Sequence, residues 1–133
     1  MSRVEELKIQ SLNHVALHVA DTARSVAFYE RVLKLAPLPR PAFSFPGAWF
    51  ALGTGQELHL IEDPSYPQQA QHRRNHFALL IEYPEVWLAH LQQQGLTEVK
   101  SKSRPDGATQ IFLTDPDGHW IELCTPVKAV GDG

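Results

Sequence analysis

The chain writes one phrase twice, NHVAL at 13–17 and NHFAL at 75–79. The residues after each copy match in kind: a short apolar strand, a helix-start signal, then an amphipathic helix. Self-similarity of this sort marks a duplicated unit, which limits the fold more than composition does. In the first copy Val15, Leu17 and Val19 share one strand face, and His14, Ala16 and His18 share the other. Asp21 is a natural N-cap for a helix running through Val32, with Val26, Tyr29 and Leu33 at helical spacing. In the second copy Phe77, Leu79 and Ile81 form the corresponding face. Pro84 suits the first helical position, Trp87, Leu88 and Leu91 make the stripe, and Gly95 supplies the stop.

A second correspondence closes each half. GQELHL at 55–60 and GHWIEL at 118–123 both set a polar side chain, His59 or Glu122, between apolar neighbours four residues after a glycine, at almost the offset that separates His14 from His76. Between helix and closing strand there is room for two more strands, at roughly 35–43 and 48–52, then at roughly 97–103 and 109–114. Pro37, Pro39 and Pro41 alternate, so their missing N–H groups fall along one side, which predicts a sheet edge or loop there. The polar stretch 64–75 joins the halves, and the final GDG is expected to fray. At 133 residues this makes one domain, with module one at about 10–63, a connection at 64–73 and module two at about 74–126.

Lys and Arg number 12 against 15 Asp and Glu, a formal net charge of -3, with no basic run. No nucleic acid or anionic membrane partner is therefore expected. One cysteine, Cys124, excludes an internal disulfide framework. The charged N-terminus lacks a signal-peptide core, and no apolar run reaches transmembrane length, so a cytoplasmic location is expected.

Strand parity singles out four side chains. His14 and His76 point away from the helix-facing residues, His59 opposes Leu58 and Leu60, and Glu122 opposes Ile121 and Leu123. If the halves face each other, three imidazoles and a carboxylate meet across a concave surface, and these are ligand types for a divalent transition metal. A structural role for each histidine is the competing reading, and a repeat alone does not make a ligand. His18, on the face of His14, is read as structural. So is Cys124, on the face of Glu122. Asp115, Asp117 and Gly118 are read as serving turn geometry. Phe43, Phe45, Trp49 and Phe50 are candidates for an apolar pocket wall, with ordinary core and interface packing the favoured reading. His72, Arg73 and Arg74 are candidates for a lid over an anionic substrate, with loop solvation explaining them equally well.

The stretches LNHVALHVADTARSVAFYERVLKL, its equivalent from Arg74, and the closing DPDGHWIELC resemble the glyoxalase, bleomycin-resistance and extradiol-dioxygenase superfamily, the vicinal oxygen chelate proteins, over about residues 10–126. The resemblance implies an α+β fold in which two βαβββ modules form a cup-shaped, partly open barrel, with the first and last strands of each module side by side. It implies one divalent metal ion (Zn, Ni, Co, Mn or Fe), with His14, His76 and Glu122 at ligand positions and His59 where glyoxalase I enzymes usually carry glutamate. Glu122 is then also the expected catalytic base. The shared chemistry is a metal that holds two adjacent substrate oxygens and stabilises the oxyanion that forms, while a carboxylate moves a proton. The run from Arg40 to Glu62 is most similar to glyoxalase-I-like proteins with His at the fourth position. A glyoxalase-like lyase or isomerase acting on a small molecule is thus the leading expectation, as a homodimer in which the halves pair either within one chain or between the two. The alternatives are a fosfomycin-type thiol transferase, for which Lys100, Lys102, Ser103 and Arg104 are phosphonate-binding candidates by type only, a solvated loop being the favoured reading of them, and a metal-free bleomycin-resistance-type binding protein.

Overall fold

A computed structural model describes residues 3–65 and 72–128. The first half contains β1 (His14–Val19), α1 (Thr22–Arg31), β2 (Pro37–Leu38), β3 (Gly47–Ala51) and β4 (Glu57–Glu62). The second contains β5 (His76–Leu80), α2 (Pro84–Gln93), β6 (Lys100–Ser103), β7 (Thr109–Thr114) and β8 (Trp120–Cys124). Each half is therefore βαβββ, and the architecture is α+β, as the repeat implies. Two four-stranded sheets form, ordered β1-β4-β3-β2 and β5-β8-β7-β6, and neither closes into a barrel. In each sheet the first and last strands pair in parallel, His14 opposite Glu57 and His76 opposite Trp120, while the remaining neighbours are antiparallel. The residues expected to fray at the C-terminus and part of the connection between halves lie outside the described residues.

Local chemistry explains the boundaries. Asp21 caps α1, accepting a hydrogen bond from the Arg24 N–H at 3.1 Å. Pro84 opens α2 after Tyr83, which sits in the left-handed region without a side-chain cap, and Gly95 leaves the helix at φ 84°. The proline-spaced segment is an edge, as its missing donors require, but only Pro37–Leu38 pair as strand. Pairing with β3 stops after Leu38, so the longer strand expected there does not form. Gly47 is fixed by contact: a Cβ there would stand 2.2 Å from the Leu60 carbonyl oxygen on the neighbouring strand.

The core runs through both halves as one cluster. Val19, Tyr29, Phe50, Leu58 and Leu60 from the first meet Leu91, Ile111, Leu113, Ile121 and Leu123 from the second, all essentially buried. Phe50 thus belongs to the core, its ring 6.1 Å from that of Tyr29, and not to a pocket wall with Trp49. The reason is parity, since adjacent residues of β3 face opposite sides.

Polar bonds also join the halves. The Tyr29 hydroxyl donates to Asp115 Oδ2 at 2.7 Å, while Asp115 Oδ1 accepts from the N–H groups of Asp117 and His119. Asp117 reaches the start of α1, accepting from the Ala20 N–H at 3.0 Å, from the Arg24 guanidinium at 2.9 Å and from the Ser25 hydroxyl. His119 meets the His18 carbonyl, and His90 on α2 meets the Val32 carbonyl at the end of α1. The DPDG turn therefore does more than shape itself: it fastens module two to module one. Among the described residues no helix is long and apolar enough to cross a membrane.

Candidate metal centre

His14 opens β1, and its Nδ1 lies 2.7 Å from Asn13 Oδ1. An amide oxygen only accepts, so Nδ1 carries the proton and Nε2 presents its lone pair. The first residue of the repeated Asn-His phrase thereby sets the tautomer of the second. His76 reaches the same state by another route, its Nδ1 lying 2.7 Å from the Arg73 carbonyl. The Nε2 of His76 then faces Glu122 Oε1 at 2.9 Å. Glu122 is 4% exposed, and Gln110 Nε2 donates to its other oxygen at 3.2 Å. The Phe112 ring stands edge-on to His76 at 5.4 Å.

An imidazole lone pair and a buried carboxylate pointing at each other require a positive charge, either a proton or a metal ion. A hydrogen-bonded Nδ1 with an exposed Nε2 is the outer-shell arrangement that orients a metal-ligating histidine. His14, His76 and Glu122 therefore fit the donor set of a divalent ion.

His59 is placed differently. Its ring lies between Trp49, with centroids 3.9 Å apart and planes 3° apart, and His14, at 4.2 Å and 16°. Its Nε2 is 2.8 Å from Glu57 Oε1. The four residues expected to converge thus come as two pairs, His14 with His59 on the first sheet and His76 with Glu122 on the second. Among the described residues no three His, Cys, Asp or Glu side chains form a group able to hold a metal. Each pair is a candidate half-site.

Around the second half-site two cations converge on the face of Phe112, the Arg73 guanidinium at 5.2 Å from the ring centroid and the Lys102 amine at 5.6 Å. Arg104, a candidate anion-binding residue by type alongside Lys102, is paired with Asp106, whose carboxyl that hydrogen bond holds below the usual range. His72 accepts from the Arg74 N–H. Around the first half-site, Phe43 stacks with Phe45 at 5.2 Å and tilts toward Trp49 at 6.0 Å, with the Arg40 guanidinium over both phenylalanine rings. Burial, together with the Glu122 carboxylate, pushes the Cys124 thiol up. A cavity of about 860 Å³ between the halves is lined by apolar side chains such as Val15, Leu33, Phe77, Leu79 and Trp87, and none of the four ligand candidates borders it.

Sequence reasoning missed Asn13, Glu57 and Gln110. Asn13 was visible as the constant partner in the repeat, and Glu57 shares the strand face of His59 two residues on. Nothing local marked Gln110, which reaches Glu122 only across the β7–β8 pairing.

The chain is 32% identical over 126 residues to "Glyoxylase I 4" of Arabidopsis thaliana, covering 89% of this chain and 72% of that protein. It is 35% identical over 121 residues to the metallothiol transferase FosB of Staphylococcus saprophyticus, covering 88% and 78%. Among solved structures, a glyoxalase family protein from Bacillus anthracis superposes with a TM-score of 0.78 at 25% identity, covering 92% of this chain and 98% of that one. The fosfomycin resistance protein FosX from Listeria monocytogenes does so with a TM-score of 0.74 at 25% identity, covering 90% and 96%. The model of the Glyoxalase/Bleomycin resistance protein/Dioxygenase superfamily matches residues 11–123, and with the paired βαβββ modules this establishes that the chain belongs to that superfamily.

Proposed function

We propose that the chain is a cytoplasmic, divalent-metal-dependent enzyme of the glyoxalase type, a lyase or isomerase acting on a small molecule with two adjacent oxygens. The observation that carries this reading is the His76–Glu122 pair. Its imidazole is fixed in one tautomer and faces a buried carboxylate, an arrangement that a divalent ion held by both groups would satisfy. His14, His76 and Glu122 are the ligands we assign. Because one chain holds His14 apart from the other two, the site is completed by a second copy, as a homodimer in which module one of one chain faces module two of its partner.

When bound, the ion supplies charge stabilisation to the substrate oxygens. Glu122 accepts and returns a proton at Oε1, and Gln110 keeps Oε2 oriented. Trp49, Phe43 and Phe45 form a run of rings leading outward from the His14 half-site and wall the organic part of the substrate.

The test is metal content per chain by elemental mass spectrometry on gently purified protein, with His76→Ala and Glu122→Ala alongside. Near-stoichiometric metal that both variants lose supports the reading. Protein that neither contains nor takes up metal refutes it and leaves a metal-free binding module. Mixing inactive His14→Ala and His76→Ala chains tests the shared site, since recovered activity requires ligands from both.

A second reading, a thiol transferase, is favoured by Arg73 and Lys102. Both cations stand over Phe112 beside the His76–Glu122 pair, placed for an anionic substrate group, and a relative named a metallothiol transferase is 35% identical to the chain. Turnover of a phosphonate epoxide that depends on added thiol and falls in Lys102→Ala would select it. Indifference to thiols would remove it.

A further inference from the structure

We infer that His59 is a positioning residue of the metal centre and not one of its ligands, held in that role by Glu57 and Trp49; the inference rests on the metal-centre reading. A metal–imidazole bond lies in the plane of the ring, along the nitrogen lone pair, at about 2.0–2.1 Å. The His59 and His14 rings are stacked, 4.2 Å between centroids and 16° between planes. Two such planes meet only far from either ring, so an ion in the plane of His14 lies well off the plane of His59. The two imidazoles cannot serve one ion in this pose.

The rest of the His59 environment explains why the pose is kept. Trp49 is directly opposite His59 in the β3–β4 pairing, and its indole lies 3° from parallel at 3.9 Å, covering the second face of the ring. Glu57, two residues back on the same strand face, meets His59 Nε2 at 2.8 Å and fixes rotation within the plane. The His59 side chain is only 14% exposed in this clamp. Face, opposite face and edge are therefore all engaged. What remains for His59 to do is press its flat surface against His14, whose Nδ1 is already held by Asn13. The two contacts leave His14 one orientation, with Nε2 outward. Outer-shell residues of this kind alter metal affinity without contributing a donor.

The placement bears on the chemistry available to the site. With His59 outside the ligand set the protein provides three donors, one of them a carboxylate, and the remaining coordination positions are left to substrate and solvent. Glu57 is engaged with His59, so it does not replace the second carboxylate that a two-base isomerisation would use.

His59→Phe keeps a flat ring and removes both nitrogens, while His59→Ala removes the surface. The probe is Co(II), followed by its visible absorption and by equilibrium titration, with His14→Ala as the reference for loss of a true ligand. We expect His59→Phe to bind Co(II) with wild-type stoichiometry and an unchanged band pattern, and His59→Ala and Glu57→Gln to keep the pattern while weakening binding about 10–100-fold. A His59→Phe spectrum that shifts or vanishes as in His14→Ala would overturn the inference. Imidazole nitrogen NMR of metal-free protein decides the positioning claim separately from the metal reading. The His14 signals should move in His59→Ala and stay in His59→Phe, and an unmoved His14 in His59→Ala would refute it even if Co(II) binds nowhere.

Discussion

Replacing Tyr29 with Phe removes one oxygen from the joint between modules, and the cost should depend on pH in a direction the structure fixes. Tyr29 is fully buried and Asp115 is 5% exposed, so no water replaces the lost donor. Burial first, and the Asp115 charge second, push the Tyr29 phenol well above its ordinary range, so it stays protonated and donates at every pH of interest. Burial pushes Asp115 up as well, and the Tyr29 hydrogen bond is the largest influence pulling it back. A carboxyl whose folded pKa is raised holds its proton more tightly in the fold than in the unfolded chain. Its contribution to stability is therefore fullest below the unfolded value and is lost as pH rises through the folded value.

Tyr29→Phe raises that folded value further, so the gap between wild type and variant widens from acid toward neutral pH. A hydrogen bond to a charged acceptor contributes about 1.5–3 kcal/mol and a neutral one about 0.5–1.5. The expected loss is about 2–3 kcal/mol near pH 8 and smaller, about 1 kcal/mol, near pH 4, where more of the Asp115 carboxyl is protonated. Urea unfolding of both proteins at the two pH values measures it, and Asp115→Asn in each background isolates the pair. A gap below about 0.5 kcal/mol, or the same gap at both pH values, would refute the reasoning.

Gly47→Ala should destabilise by about 1–3 kcal/mol, because its Cβ would meet the Leu60 carbonyl oxygen at 2.2 Å; denaturant midpoints show it, and an unchanged midpoint would mean β3 and β4 are not this close. Asp117→Ala strips the N–H of Ala20 and the Arg24 guanidinium of an acceptor whose side chain is 1% exposed. A loss of about 2 kcal/mol is expected, with the Ala20 amide exchanging faster while β6 amides keep their protection. A chelator in excess should lower the melting temperature of metal-loaded protein by the binding free energy it removes, and calorimetry with and without added Zn²⁺ reads that shift.

The parts of this fold legible in the sequence are those with local causes. The repeat, the alternation in β1 and β5, the Asp21 cap and the proline edge are each decided by a residue and its near neighbours. Phe50 was readable on the same terms, since its opposite parity to Trp49 on β3 already assigned it to the core. Asp115 and Asp117 were not. Their turn geometry is local, but their partners Tyr29, Ala20 and Arg24 stand about ninety residues earlier and become visible only when α1 folds onto the turn. The candidate ligands were legible as types and faces. That they fall into two pairs within one chain depends on how the sheets are set apart, which no spacing encodes. The stacking of His59 likewise depends on Trp49, which strand pairing brings opposite it.

The edges of the two sheets differ in kind. At the outer edge of the first, β2 begins with Pro37, which has no N–H to offer a further strand, and at the outer edge of the second, β6 carries exposed Lys100 and Lys102. Proline and lysine are the residues that discourage edge-to-edge pairing. The opposite edges, β1 and β5, have neither. In terms of valence, two edge strands are guarded and two are not, and among the described residues no further strand pairs with the unguarded ones, which begin with His14 and His76. On the shared-site proposal, the same guards leave the two edges that carry the candidate ligands as the ones a second copy would approach.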